Sequence, residues 1–186
     1  MGILDRLKNL FRSDVPTALP EIVQPEQTTE DRRQRTRINA REGTRVLVID
    51  DSKTILTVLR KFLRSAGYET IEALDAESGL ALMQEHRPEL VFLDIMLPGM
   101  NGFGALRAIR RDPLLRDTPI IMMSGNEQAM EQFFGTRIGA DDFMKKPFSR
   151  YEAFFRIERL LDENHVPRRA KPATEIAGET NPEANT

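Results

Sequence analysis

Five chemically capable side chains stand where strand-like apolar runs end. Asp50 and Asp51 close "RVLVID", Asp94 closes "ELVFLD", Ser124 closes "PIIMMS", and Lys146 ends "DDFMKK". Three carboxylates, a hydroxyl and an ammonium on one rim would form a site for a cation and an oxyanion. Two like charges about 4 Å apart at an effective dielectric near 20 repel by about 4 kcal/mol, so three gathered carboxylates call for a counter-cation. Oxygen-only ligands in an incomplete cage suit Mg²⁺, which keeps several waters and accepts a phosphate group as partner. The plainer reading makes Asp50 and Asp51 capping acids where a strand meets water; the other strand-end residues weigh against it.

Those residues share a rim only if the elements between them are arranged for it. Strand-like runs occupy 45–50, 68–73, 89–94, 119–124 and 141–146, three of them apolar on both faces. Helical patterns alternate with them. "SKTILTVLRKFLRSAG" sets Ile55, Leu56, Leu59, Phe62 and Leu63 at helical spacing and stops at Gly67. "DAESGLALMQEHRP" starts on Asp75 as N-cap and ends before Pro88. "NGFGALRAIRRD", "NEQAMEQFFGTRIG" and "SRYEAFFRIERLLDEN" each follow a strand. Repeated strand–helix units predict an α/β fold, a doubly wound parallel sheet with right-handed crossovers and helices on both faces. In such folds ligands sit at the carboxyl ends of the strands, which is where these five residues lie.

Composition narrows the chemistry. The 186 residues hold 27 Lys and Arg against 29 Asp and Glu, so no global basic field invites nucleic acid. With no cysteine, disulfides, thiol nucleophiles and Cys-rich zinc sites are excluded, and the two histidines, His86 and His165, lie far apart. No apolar run approaches the roughly 18 residues of a membrane span, and Asp5, Arg6 and Lys8 break up the N-terminus. A domain is expected over 44–165, with a disordered linker at 13–43, whose three prolines and "TTEDRRQRTR" run carry few apolar side chains, and a mobile tail at 166–186. Residues 1–12, "MGILDRLKNLFR", place Ile3, Leu4, Leu7, Leu10 and Phe11 on one face of an amphipathic helix.

The segments "VLVIDDS" (46–52), "LVFLDIMLPGMNG" (90–102), "IIMMSG" (120–125) and "GADDFMKKPF" (139–148) come in the order and spacing of a response-regulator receiver domain, and residues 45–164 resemble that family. The resemblance implies a flavodoxin-like sheet of order 2-1-3-4-5. It makes Asp94 the acceptor of a phosphoryl group from a phosphohistidine on a histidine kinase or phosphotransfer protein. It implies that Asp51, Asp94 and the Met96 carbonyl bind Mg²⁺, with Asp50 acting mainly through water. Lys146, which directly precedes Pro147 as in the family pattern, would pair with the phosphoryl oxygens, and Ser124 would donate its hydroxyl to one. Lys145 is then a solvated neighbour, and the Lys146–Pro147 bond is expected to be cis.

In the same resemblance, Ser124 moves inward on phosphorylation and Phe143 rotates into the space it leaves. Output then passes through the face of the fourth helix, fifth strand and fifth helix to a protein partner, since no folded module is expected after residue 164. Met96 and Asn126 flank the water route to the acyl phosphate, and apolar Met96 predicts slow-to-moderate self-dephosphorylation. The stretch "GTRVLVIDDSKTILTVLRKFLRSAGYET" (43–70) resembles chemotaxis and twitching-motility regulators. The expected setting is cytoplasmic, with residues 1–12 docking on an anionic inner membrane face or in a partner's groove; pairing into a homodimer stays open. Two rival classes are a phosphate-independent pseudo-receiver and a dehalogenase-type aspartyl-phosphate phosphatase. The latter needs a second acid two residues after its nucleophile, where this chain has Met96.

Overall fold

The computed structural model describes residues 37–126, 128, 129, 131 and 139–169. The expected helix at 1–12, the linker up to residue 36 and the tail from residue 170 lie outside the described residues, as does most of the fourth helix, of which residues 128, 129 and 131 are helical. The elements run β1 (Arg45–Ile49), α1 (Lys53–Arg64), β2 (Glu69–Ala73), α2 (Ala76–His86), β3 (Leu90–Asp94), α3 (Gly102–Arg111), β4 (Ile120–Ser124), β5 (Asp142–Lys145) and α4 (Arg150–Glu158). The strands form one parallel sheet of order β2-β1-β3-β4-β5.

Side-chain alternation along each strand divides the core in two. Leu47, Ile49, Val91, Leu93, Ile120 and Met122 face α2 and α3, meeting Met83, Phe103, Leu106 and Ile109. Val46, Val48, Phe92, Ile121 and Met123 face α1 and α4, meeting Leu59, Leu63, Phe154 and Ile157. Each fully buried side chain of this size contributes about 1.5–3 kcal/mol. The central strands β3 and β4 are buried throughout, and the edges β2 and β5 are only partly so. This explains why the central sequences read as unbroken apolar runs.

Four helices begin on the side chains expected to cap them or on equivalents. Ser52 Oγ accepts the Ile55 N–H at 3.5 Å and Asp75 Oδ1 accepts the Ser78 N–H at 2.7 Å. Asn101 Oδ1 and Ser149 Oγ accept the N–H groups of Gly104 and Glu152 at 2.9 and 3.1 Å. Three expectations about boundaries are corrected. The last helix stops at Glu158 instead of running to 164, because Asp162 Oδ1 accepts the N–H groups of Asn164 and Val166, both at 2.9 Å, and turns the chain back. Leu161 then bridges Pro167, which is buried, so packed structure continues past residue 165. At the other edge, residues 37–43 do not behave as free linker: Ala40 is buried, its N–H donates to the Tyr68 hydroxyl at 2.7 Å, and the Arg41 N–H donates to the His165 carbonyl at 3.1 Å.

Candidate functional site

The parallel register brings the carboxyl ends of β1, β3, β4 and β5 to one edge, and the strand-end residues come with them. Ligand oxygens of Asp50, Asp51 and Asp94 all lie within 4.8 Å of one another. Lys146 Nζ stands 2.6 Å from Asp50 Oδ2 and 3.0 Å from Asp94 Oδ2. Asp50, Asp94 and Ser124 are buried, whereas Asp51 is exposed at the mouth. Of the two adjacent lysines, Lys146 enters the cluster and Lys145, paired in register with Ser124, is exposed. The Lys146 N–H donates to the Ser124 carbonyl at 2.8 Å, and the Lys146–Pro147 peptide is cis.

Charge is unevenly matched here. One ammonium faces three carboxylates. Burial pushes the Asp94 carboxyl above its ordinary range; Lys146, nearby and hydrogen-bonded, pulls it back, Asp50 pushes it further up, and the Met96 N–H pulls it down. A cluster of hard oxygen donors, two of its three acids buried and short of positive charge, fits a small divalent cation such as Mg²⁺. Structural pairings also use part of the set: Asp50 Oδ1 accepts the Ser52 N–H at 3.0 Å, which fixes the first residue of the turn into α1.

The surrounding positions divide clearly. Ser124 Oγ accepts the Asn126 N–H at 3.1 Å, so its own hydrogen is available to a new acceptor. Met96 is 55% exposed beside the cluster. Asn126 is also exposed, but its side-chain oxygen accepts the Ala129 N–H at 3.1 Å, making it a helix cap, a role that the sequence reading did not assign. Phe143 is buried among the residues of the α2–α3 side of the core.

Two residues hold the loop after Asp94, and the sequence reading missed the first of them. Glu77, on α2, accepts the Met100 N–H on Oε1 at 3.2 Å and so ties the loop to a neighbouring helix. Nothing in the spacing of Glu77 signals this contact. Gly102 is fixed by closeness: a Cβ there would sit 2.1 Å from the Asp94 carbonyl oxygen and 2.8 Å from Ile95 Cα. This agrees with "LPGMNG" (97–102) read as a tight loop whose glycines free the backbone beside Asp94.

Comparison with known proteins gives the same picture over the same span. Protein PilG of Pseudomonas aeruginosa is 33% identical over 126 residues, 68% of this chain and 90% of that protein. The alkaline phosphatase synthesis transcriptional regulatory protein PhoP of Bacillus subtilis is 33% identical over 132 residues, 71% of this chain and 53% of PhoP. The chain thus spans about half the length of the transcriptional regulators it matches. Among solved structures, chemotaxis protein CheY4 of Vibrio cholerae superposes with a TM-score of 0.59 at 30% identity, covering 64% of this chain and 99% of CheY4. A CheY-like receiver domain protein from Methanospirillum hungatei gives 0.60 at 30% identity, covering 66% and 97%. The response regulator receiver domain model matches residues 46–158, more than half the chain and every residue of the acid–lysine–serine cluster, and the chain belongs to that family.

Proposed function

We propose that this receiver domain accepts a phosphoryl group on Asp94 from the phosphohistidine of a histidine kinase or phosphotransfer protein, in a Mg²⁺-dependent step, and passes the signal to a protein partner. The observation that carries the proposal is the convergence of Lys146 Nζ on both Asp50 Oδ2 and Asp94 Oδ2, at 2.6 and 3.0 Å. Asp51, Asp94 and the Met96 carbonyl would hold the ion, with Asp50 acting through water. When bound, Mg²⁺ supplies positive charge to phosphoryl oxygens and relieves repulsion among the acids.

The chain's own residues do the rest. An Asp94 carboxylate oxygen forms the new O–P bond as the N–P bond to the donor imidazole breaks, and the electron pair leaves on that nitrogen. Phosphoryl transfer asks mainly for position and for charge around the equatorial oxygens. Lys146, freed from part of its pairing with Asp94, follows one of those oxygens. Ser124 donates its free hydroxyl hydrogen to another. The added charge of about −1 to −2 draws the β4–β5 edge inward, and Phe143 repacks as Ser124 moves. β5, α4 and the segment between β4 and β5 then form the output surface, with chemotaxis or pilus motility as the setting and residues 1–12 as the docking device.

Incubation with acetyl phosphate and Mg²⁺, followed by intact-mass measurement, tests this directly. Wild type gains one phosphoryl group; Asp94→Ala gains none, and omission of Mg²⁺ suppresses the gain. An unmodified wild type would point to a pseudo-receiver. Multiple-turnover hydrolysis of the acetyl phosphate would point to a phosphatase instead, an outcome opposed by Met96, which offers no carboxylate two residues after Asp94.

A further inference from the structure

At the edge of the sheet opposite the acid cluster lies a cavity of about 380 Å³, lined among others by Arg41, Arg45, Arg168, Glu89 and Asp117. Its arginines all come from outside residues 46–158, the span shared with the family. The flanking segments thus add the basic side of a cavity whose other lining, Pro88, Glu89, Leu114, Asp117, Thr118 and Pro119, lies within that span.

Those walls are tied together. The Arg41 N–H donates to the His165 carbonyl at 3.1 Å, the Arg168 N–H to the Leu160 carbonyl at 2.7 Å, and Leu161 bridges Pro167. Two further sides begin strands β1 and β4, so the floor is fixed by the sheet.

The charges leave one cation over. Glu89 accepts a hydrogen bond from the Arg41 guanidinium and faces the Arg45 N–H at 3.4 Å. Arg168 Nε is matched by Asp162 at 2.9 Å. Asp117 is 83% exposed, and the cation paired with it is Arg116 at 3.8 Å. The Arg45 guanidinium has no hydrogen bond or ion pair among the described residues. Three guanidiniums from two stretches of chain, one of them unmatched, around a space of small-ligand size suit an anion with oxygens in several directions.

We propose that this cavity binds a compact phosphate-bearing anion, with Arg45 as its principal contact and Arg41 and Arg168 turning spare N–H groups toward it. The site is separate from Asp94 and does not depend on phosphoryl acceptance there.

The test is an amide-resolved NMR titration of the full chain, without Mg²⁺ and at constant ionic strength, using sodium pyrophosphate in one arm and sodium citrate in the other. Pyrophosphate should give saturable shifts centred on the amides of Arg45, Thr118 and Arg168, with a Kd below about 1 mM. Arg45→Gln should raise that Kd about tenfold, as loss of a charge-assisted hydrogen bond does, and Arg45→Glu should abolish saturation. Because the Arg45 side chain holds nothing else, both variants should keep the wild-type Tm, which separates lost binding from lost fold. Shifts that rise linearly without saturating would mean an adventitious ion only and would overturn the proposal. So would Arg45→Gln binding as wild type, shifts centred on Asp50 or Met96, or citrate binding more tightly than pyrophosphate.

Discussion

Two buried charged clusters sit at opposite ends of the same strands, and they are built on opposite principles. At the amino end of β4 and β5, the Arg110 guanidinium donates four hydrogen bonds: to the carbonyls of Gly139, Arg116 and Thr118 at 2.7, 2.9 and 2.8 Å, and to Asp141 Oδ2 at 2.8 Å. Asp141 Oδ2 also accepts the Ile120 N–H at 2.8 Å, and its Oδ1 faces Arg169 Nε at 3.4 Å. At the carboxyl end, Lys146 is the cation paired with Asp50 and Asp94 among the described residues, and Asp51 adds a third carboxylate. A guanidinium that spends four N–H donors on fixed carbonyls and a carboxylate fastens the scaffold; acids that outnumber their cation are set to receive something. Burial lowers the Arg110 pKa to about 10 against the pull of Asp141, with Arg169 adding to the fall, so the guanidinium stays charged at neutral pH and its role is fixed.

The comparison breaks first, if it breaks, at Arg110. Arg110→Ala removes four hydrogen bonds and leaves Asp141 partly uncompensated, and a loss of about 3–5 kcal/mol is expected in denaturant unfolding. Adding Mg²⁺ should not restore it. Equal stability of the variant and wild type would remove the scaffold role from this cluster.

The acid cluster should answer to metal instead. A ligand that binds only the folded state stabilises it by about 2.7 kcal/mol at a hundredfold excess over its Kd. Thermal unfolding of wild type should shift upward by that order as Mg²⁺ is titrated, and Asp51→Asn should lose most of the shift while folding normally, since Asp51 is exposed. A Mg²⁺ response unchanged in Asp51→Asn would place the ion elsewhere.

A smaller effect follows from Asp94. Its pKa is raised in the folded state, chiefly by burial, so its contribution to stability is fully present below the unfolded carboxylate value of about 3.9 and is lost as pH rises through the folded value. Once ionised and without metal, Asp94 therefore opposes folding. Asp94→Asn should raise the metal-free Tm by several degrees, roughly 1 kcal/mol. The difference should narrow as pH falls toward 4 and reverse when Mg²⁺ is added.

Sequence carried the acid cluster further than it carried the scaffold. Asp50, Asp94, Ser124 and Lys146 were legible because strand ends and turn residues announce themselves, and period-two burial fixes which lysine enters: Lys145 pairs with Ser124 in register and stays outside. The Arg110 clamp was not legible, since an arginine on a helix reads as a solvated face until the carbonyls of a distant loop are brought to it. The end of α4 was overrun for a related reason. Leu160 and Leu161 continue the helical period of Phe154 and Ile157, and only the turn chemistry of Asp162 with Pro167 downstream opposes it. Likewise the polar composition of residues 37–43 hid Ala40, whose burial depends on the hydroxyl of a tyrosine 28 residues away.

The smallest predicted effect tells whether matching or burial gives the Arg110 cluster its weight. Arg41 and Glu89 are as well matched as a surface pair can be, but their side chains are 59% and 18% exposed, against 12% and 2% for Arg110 and Asp141. Water then screens the attraction and ordering two side chains offsets most of the gain, so Arg41→Ala should cost under about 1 kcal/mol. That small loss should shrink further at 1 M salt, where the screening length falls to about 3 Å. The Arg110→Ala loss should hardly move, because salt does not enter a buried cluster. If both losses fell equally with salt, Arg110 would be acting as a surface charge, and the division between a fastened end and a receptive end of the sheet would rest on Lys146 alone.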